Sequence, residues 1–92
     1  DEVASGGTLI EAAAFLKKRG ARVVEATCVH PVLSGTATQR IMDSVITDLV
    51  VTDTIPTADK MIPKLNVLPV AGIFARAIRR IHDGDSVSEL FS

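Results

Sequence analysis

Asp1 and the run Ala4-Ser5-Gly6-Gly7-Thr8 stand directly before an apolar stretch, Leu9 to Leu16. Adjacent glycines let a backbone come close to a ligand and take up dihedrals barred to other residues. Ser5 and Thr8 add hydroxyl groups. The first N–H groups of a helix have no partner inside it, so they point at any anion placed before them. An acid a few residues earlier is well placed to take sugar hydroxyls or a metal ion. Together these residues suit a sugar phosphate held by a loop that opens into a helix. The plainer alternative is an ordinary helix start with Thr8 as its N-cap.

The elements that must carry such a loop alternate helix and strand. A first helix is predicted from about Gly7 to Arg19: Leu9, Ala12, Ala13 and Leu16 share a face, Lys17, Lys18 and Arg19 crowd the last turn, and Gly20 stops it. Ala21 to Val29 reads as a buried-type strand. Pro31, Ser34 and Gly35 form a loop, followed by a short helix at about Thr36 to Asp43. Leu49 to Thr52 is the second strand. Ile55 to Lys64 carries two prolines and reads as a loop, with one helical turn at Ala58 to Ile62. Leu65 to Val70 is the third strand, with Pro69 confined to its end or to a sheet edge. The last helix spans about Ala71 to His82 and is stopped by Asp83-Gly84. Asp85 to Ser92 is a polar tail apart from Val87, Leu90 and Phe91, which are expected to dock against protein.

This order predicts an α/β fold with a parallel sheet built from right-handed crossovers. Ligands in such folds sit where strand ends meet helix N-termini, which is where Ala4 to Thr8 would lie if a strand preceded them. The 92 residues make one small domain or a piece of one. They are 47% hydrophobic but 3% aromatic, so the core must be aliphatic, as in parallel sheets covered by helices on both faces. A net charge of -1 gives no electrostatic case for nucleic acid or a membrane surface. Cys28 is the lone cysteine, which excludes an intrachain disulfide and fits a reducing, cytoplasmic setting. No membrane-length apolar run is present.

The opening motif resembles the ribose-phosphate loop of phosphoribosyltransferase-fold proteins. Val29-His30-Pro31-Val32-Leu33-Ser34-Gly35 with Arg40-Ile41, then Leu49 to Pro56, then Ala77 to His82 with Gly84, Ser86-Val87-Ser88 and Leu90-Phe91, are similar in order and spacing to the C-terminal portion of ribose-phosphate pyrophosphokinases. Aligned from the glycines, Asp1 takes the family's second acid, and the first acid and its strand would lie before residue 1. The resemblance therefore implies an incomplete phosphoribosyltransferase-like domain, with an open sheet edge and a tendency to associate with another chain or with itself.

The resemblance further implies magnesium-dependent transfer of the pyrophosphoryl group of ATP to the anomeric hydroxyl of ribose 5-phosphate. Asp1, Ala4, Ser5, Gly6, Gly7 and Thr8 would form the ribose-5-phosphate site, Mg²⁺ would be the cofactor, and the partners would be the missing N-terminal part and further copies in a homo-oligomer. An isolated chain of this kind is expected to be inactive. Ser86 and Ser88 would lie at a regulatory phosphate or nucleotide site, in an extended tail near Arg79 or Arg80. No Lys or Arg suited to neutralise developing charge stands near the loop in sequence.

Two positions depart from the family: Ala4 replaces an acid and Glu2 an apolar residue. Ala4 is what many nucleobase phosphoribosyltransferases show there. Three readings follow: a synthetase, a non-catalytic regulatory homologue, or a phosphoribosyltransferase. The remaining reactive side chains have plainer roles. His30 has no second His nearby and is expected to stabilise its loop. His82 suits a helix C-terminus, Cys28 a core position, and Arg76, Arg79 and Arg80 a solvated helix face.

Overall fold

The computed structural model describes residues 1–91; Ser92, the last residue of the expected tail, lies outside the described residues. The elements are β1 (Glu2–Val3), α1 (Gly7–Lys18), β2 (Val24–Thr27), β3 (His30–Pro31), α2 (Ala37–Met42), β4 (Ile46–Thr52), β5 (Leu65–Leu68), α3 (Ala71–Asp83) and a 3-10 turn at Ser88–Phe91. All strand pairs are parallel: β2-β4-β5 in one sheet, β1-β3 in the other.

The strand expected over Ala21 to Val29 is shorter, Val24–Thr27, and a second strand, His30–Pro31, follows where Pro31 was expected in a loop, because the chain changes partner along its length. Cys28 still donates its N–H to the Val50 carbonyl at 3.0 Å, but Val29 and His30 both donate to the Asp1 carbonyl, at 3.0 and 2.9 Å. A first strand was expected only before residue 1; the structure has β1 inside the chain, in register with β3 through Glu2↔His30 and Val3↔Pro31. β4 begins at Ile46, three residues before the expected Leu49, since Ile46 is fully buried and pairs with Val24.

Residues aligned across parallel strands share a face. Ala26, Leu49 and Leu65 are aligned, as are Val51 and Val67, and this face is the core side. Val3, Cys28, Leu33, Ala37, Ile41, Leu49, Val51 and Leu65 form one buried cluster, with Leu9 and Ile10 of α1 packed on it. Thus α1 and α2 cover the same side of the sheet. On the other side Val50 and Thr52 are half-buried and Leu68 is 57% exposed.

Helices on both faces were expected; α3 does not supply the second layer. Its N-terminus is tethered to the sheet, with the Val70 N–H donating to an Asp53 carboxylate oxygen at 2.9 Å. Beyond that tether it buries no residue, and Phe74, Ile78 and Ile81 remain exposed along one stripe. The radius of gyration is 16.1 Å, against about 12 Å for a compact domain of this length. The apolar periodicity is present without a surface to bury it on.

The connection from β4 to β5 holds two backbone turns, Lys60 N–H to the Thr57 carbonyl at 2.8 Å and Leu65 N–H to the Ile62 carbonyl at 3.0 Å, where a helical turn over Ala58 to Ile62 was expected. It ends at Lys64, whose Nζ donates to the carbonyls of Ile41, Met42 and Ser44 at 3.3, 2.8 and 3.0 Å. A cation there satisfies carbonyls at the C-terminal end of α2 that have no partner in the helix. After α3, Gly84 takes the left-handed conformation, φ 75°, that commonly ends a helix. The tail then coils into its 3-10 turn rather than extending, and Phe91 stays 70% exposed instead of docking.

The burial pattern has a direct consequence for stability. Ile41→Ala should cost the 92-residue chain about 2–5 kcal/mol, the range for emptying a buried aliphatic site. Ile78→Ser, on the uncovered stripe, should stay within about 0.5 kcal/mol. Urea denaturation of the two variants beside the parent measures the contrast.

Candidate functional site

The loop begins where β1 runs out and ends where α1 starts. Gly6 is its pivot: it is the N-cap of α1 and takes φ 82°, a left-handed conformation that costs other residues roughly 1–2 kcal/mol. Its carbonyl accepts the Ile10 N–H at 2.9 Å, the first bond of the helix. Thr8, the alternative N-cap, lies inside α1, and no side chain caps the helix end. The Ser5 hydroxyl accepts the Gly7 N–H at 3.4 Å. Apart from that long Ser5 contact the N-terminus of α1 is uncapped, and it opens to a cleft of about 200 Å³ lined by residues 2–9. Opening N–H groups of a helix facing a cleft make a place for an anion.

Of the six residues expected to hold ribose 5-phosphate, the cleft is lined by Ala4, Ser5, Gly6, Gly7 and Thr8. Asp1 is not in that lining; its carbonyl is committed to β3. Glu2 lines the cleft and was not expected to. Among the described residues no three His, Cys, Asp or Glu side chains come together as a metal site. The donor set at this loop therefore does not by itself make a magnesium site.

The loop has a cation, and sequence proximity concealed it. Arg40, 35 residues further along on α2, donates from Nη1 to the Ser5 carbonyl at 3.1 Å. A Cβ built on Gly7 would stand 3.3 Å from Arg40 Nη2. The neighbouring Ile41 supports the loop from below, its Cγ1 at 3.8 Å from a Cβ position on Gly6. Arg40-Ile41 stands among the segments that carry the family resemblance, but only the crossover through β2 and β3 brings it back to the first loop.

The other sequence candidates separate from this site. His30 Nδ1 and Thr54 Oγ1 are hydrogen-bonded at 2.9 Å, and Thr54 and Thr52 both donate to the Val29 carbonyl. His30 thus ties the start of β3 to the loop after β4, as a loop-stabilising residue would. Cys28 is buried, and the loss of solvent pushes its thiol above the ordinary range, away from a nucleophile's thiolate. At the other end of the molecule, Ser86 Oγ and Ser88 Oγ are 2.8 Å apart, bonded to each other. Arg80 Nη1 bonds the Ser86 carbonyl and the Glu89 carboxylate, both at 3.0 Å. A shallow cleft nearby is lined by Arg76, Arg79, Arg80, Asp83, Asp85 and Leu90, without either serine. The two hydroxyls expected to face an anion beside Arg79 or Arg80 are therefore not in that cleft.

No helix of the described residues is long and apolar enough to cross a membrane. Compared with known proteins, all of residues 1–92 match the family described as phosphoribosyl synthetase-associated domain. A protein from Campylobacter jejuni named ribose-phosphate pyrophosphokinase is 46% identical over 91 residues, covering 99% of this chain and 29% of its own length. One of the same name from Burkholderia pseudomallei is 49% identical over 94 residues, 100% of this chain and 30% of its own. Among solved structures, the phosphoribosylpyrophosphate synthetase of Mycobacterium smegmatis superposes with a TM-score of 0.88 at 35% identity, over 91% of this chain and 28% of that one. The chain spans under a third of the length of these relatives. Family and fold are fixed by a match that runs the whole length of the sequence: the chain belongs to the phosphoribosyl synthetase-associated domain family.

Proposed function

We propose that this chain is the part of a ribose-phosphate pyrophosphokinase that holds the 5-phosphate of ribose 5-phosphate, in an enzyme transferring pyrophosphate from ATP to the sugar. The observation that carries the proposal is the uncapped N-terminus of α1 opening to the cleft, with Gly6 in a left-handed turn before it. There the backbone N–H groups of Gly6, Gly7 and Thr8 and the hydroxyls of Ser5 and Thr8 would take the phosphate oxygens. The anion is further favoured by the positive end of a twelve-residue helix. Phosphate binding at such a loop positions the sugar, and positioning is much of what phosphoryl-type transfer asks of a protein. The ATP side of the reaction would come from the rest of the parent protein, so the 92 residues alone are expected to be inactive. Magnesium is implied by the family; in this reading it enters with the substrates' phosphates, its usual oxygen ligands.

One observation favours a second reading, a non-catalytic homologue that keeps fold and assembly. Ala4 lines the cleft, so the acid that the family shows at this position is missing from the site itself and not from its surroundings. The phosphoribosyltransferase reading loses ground to both, since the relatives described above are named ribose-phosphate pyrophosphokinase or phosphoribosylpyrophosphate synthetase.

The full-length protein is expected to make phosphoribosyl pyrophosphate from ATP and ribose 5-phosphate with magnesium, and Ala4→Asp to change turnover by less than about tenfold, or 1.4 kcal/mol of barrier. A silent parent made active by Ala4→Asp would establish the second reading instead. Ribose 5-phosphate affinity, measured by calorimetry, tests the loop directly. Thr8→Ala should weaken it by about 1–3 kcal/mol through the loss of a donor to a charged group. Gly6→Ala should weaken it as well, by straining the turn. Parent-like affinity in both variants would place the sugar phosphate elsewhere.

A further inference from the structure

Three consecutive carbonyls lead into the anion loop, and all three are held by one segment of the chain. The Val3 carbonyl accepts the Leu33 N–H at 2.9 Å, and the Ala4 carbonyl accepts the Ser34 N–H at 2.9 Å. The third, on Ser5, accepts Nη1 of Arg40. Backbone donors hold the first two, and a side chain takes over for the last. Leu33, with φ 46°, is the one described non-glycine residue with positive φ. It is buried in the core cluster, so strain is retained where this segment turns to meet the loop.

The peptide joining Ser5 to Gly6 is trans, so its carbonyl and its N–H point in opposite directions. Holding the Ser5 carbonyl toward α2 therefore turns the Gly6 N–H away from α2. The same bond keeps a partial negative charge turned aside from the place where an anion would sit. Successive N–H groups left free by carbonyls turned away form the kind of concavity that binds anions.

Gly7 bears on the same contact. Unlike Gly6 it has no positive φ, so its backbone places no demand for glycine. What a side chain would meet there is the Arg40 guanidinium, at 3.3 Å from Nη2, a distance at which the arginine must shift by a few tenths of an ångström. The two glycines thus have separate tasks: Gly6 makes the turn, and Gly7 leaves room for Arg40.

We propose that Arg40 is a positioning residue that orients the Ser5–Gly6 peptide for anion binding, and that Gly7 lacks a side chain so that Arg40 can reach it. This rests on the sugar-phosphate reading of the loop and adds to it the group that shapes the site from behind.

The test uses the full-length protein as parent and as Arg40→Ala, Arg40→Lys, Gly7→Ala and the Gly7→Ala/Arg40→Ala double variant. Two quantities are measured: affinity for ribose 5-phosphate, and amide hydrogen exchange of the segment 3–9 without ligand, with β4 as internal reference. Arg40→Ala should weaken binding about 10- to 100-fold, the range for losing a charged hydrogen bond, and speed exchange in the loop but not in β4. Arg40→Lys, which keeps a donor, should recover part of both. Gly7→Ala should weaken the parent but add less than about twofold in the Arg40→Ala background, because both changes break one contact.

Additive losses would overturn the shared role of Gly7 and Arg40. Exchange that rises equally in β4, or Arg40→Ala behaving as the parent, would overturn the positioning role. Failure of the parent to bind ribose 5-phosphate would reject the sugar-phosphate reading on its own; the exchange comparison would still decide whether Arg40 holds the loop.

Discussion

At Cys28 the chain gives its N–H to Val50 of β4; one residue later it gives the next N–H to Asp1. This change of partner within a single extended run holds the candidate site together. It splits β2 from β3, lays β1 alongside β3, and places the loop after β1 beside α2, the element reached after β3. A parallel pair needs a crossover, and here the crossover is α1, whose first residues are the anion loop itself. The strand that orders the sheet and the turn that forms the cleft are consecutive segments of one backbone.

The core supports the same arrangement. Ile41 is fully buried, belongs to the main cluster and lies against Gly6, while its neighbour Arg40 reaches Ser5. One turn of a six-residue helix thus packs the core with one side chain and braces the loop with the next. Helices that short are marginal on their own. The C-terminal end of α2 is held by Lys64 through three carbonyls, so its position is set by β5 as much as by its own sequence. Burial, helix termination and loop geometry are coupled within a few residues.

The far end of the molecule has a different character. α3 has a well-defined apolar stripe but covers nothing, and Leu68 on the second sheet face is exposed as well. An amphipathic helix normally marks a surface to be buried. Among the described residues, none of the stripe is buried. The tail beside it is knit internally, with Arg80 engaged by Glu89 and the Ser86 carbonyl.

Sequence alone was enough to determine the order of the three helices and of the three strands β2, β4 and β5, the parallel α/β class and the family; of the six residues expected at the loop, five lie along the cleft. Those features are local: a left-handed turn needs Gly6, helix ends need Gly84, and aliphatic runs such as Leu49 to Val51 form buried strands whatever surrounds them. The tertiary structure decided what depends on distant partners. It cut the expected strand short at Thr27 and added a second at His30–Pro31, because backbone donors choose whichever acceptor packing brings near. It put backbone turns in place of the helical turn at Ala58 to Ile62, left α3 uncovered, and tied the Asp1 carbonyl to Val29 and His30. It also supplied Arg40, since a cation 35 residues away becomes a neighbour only after the sheet has brought α2 against the loop.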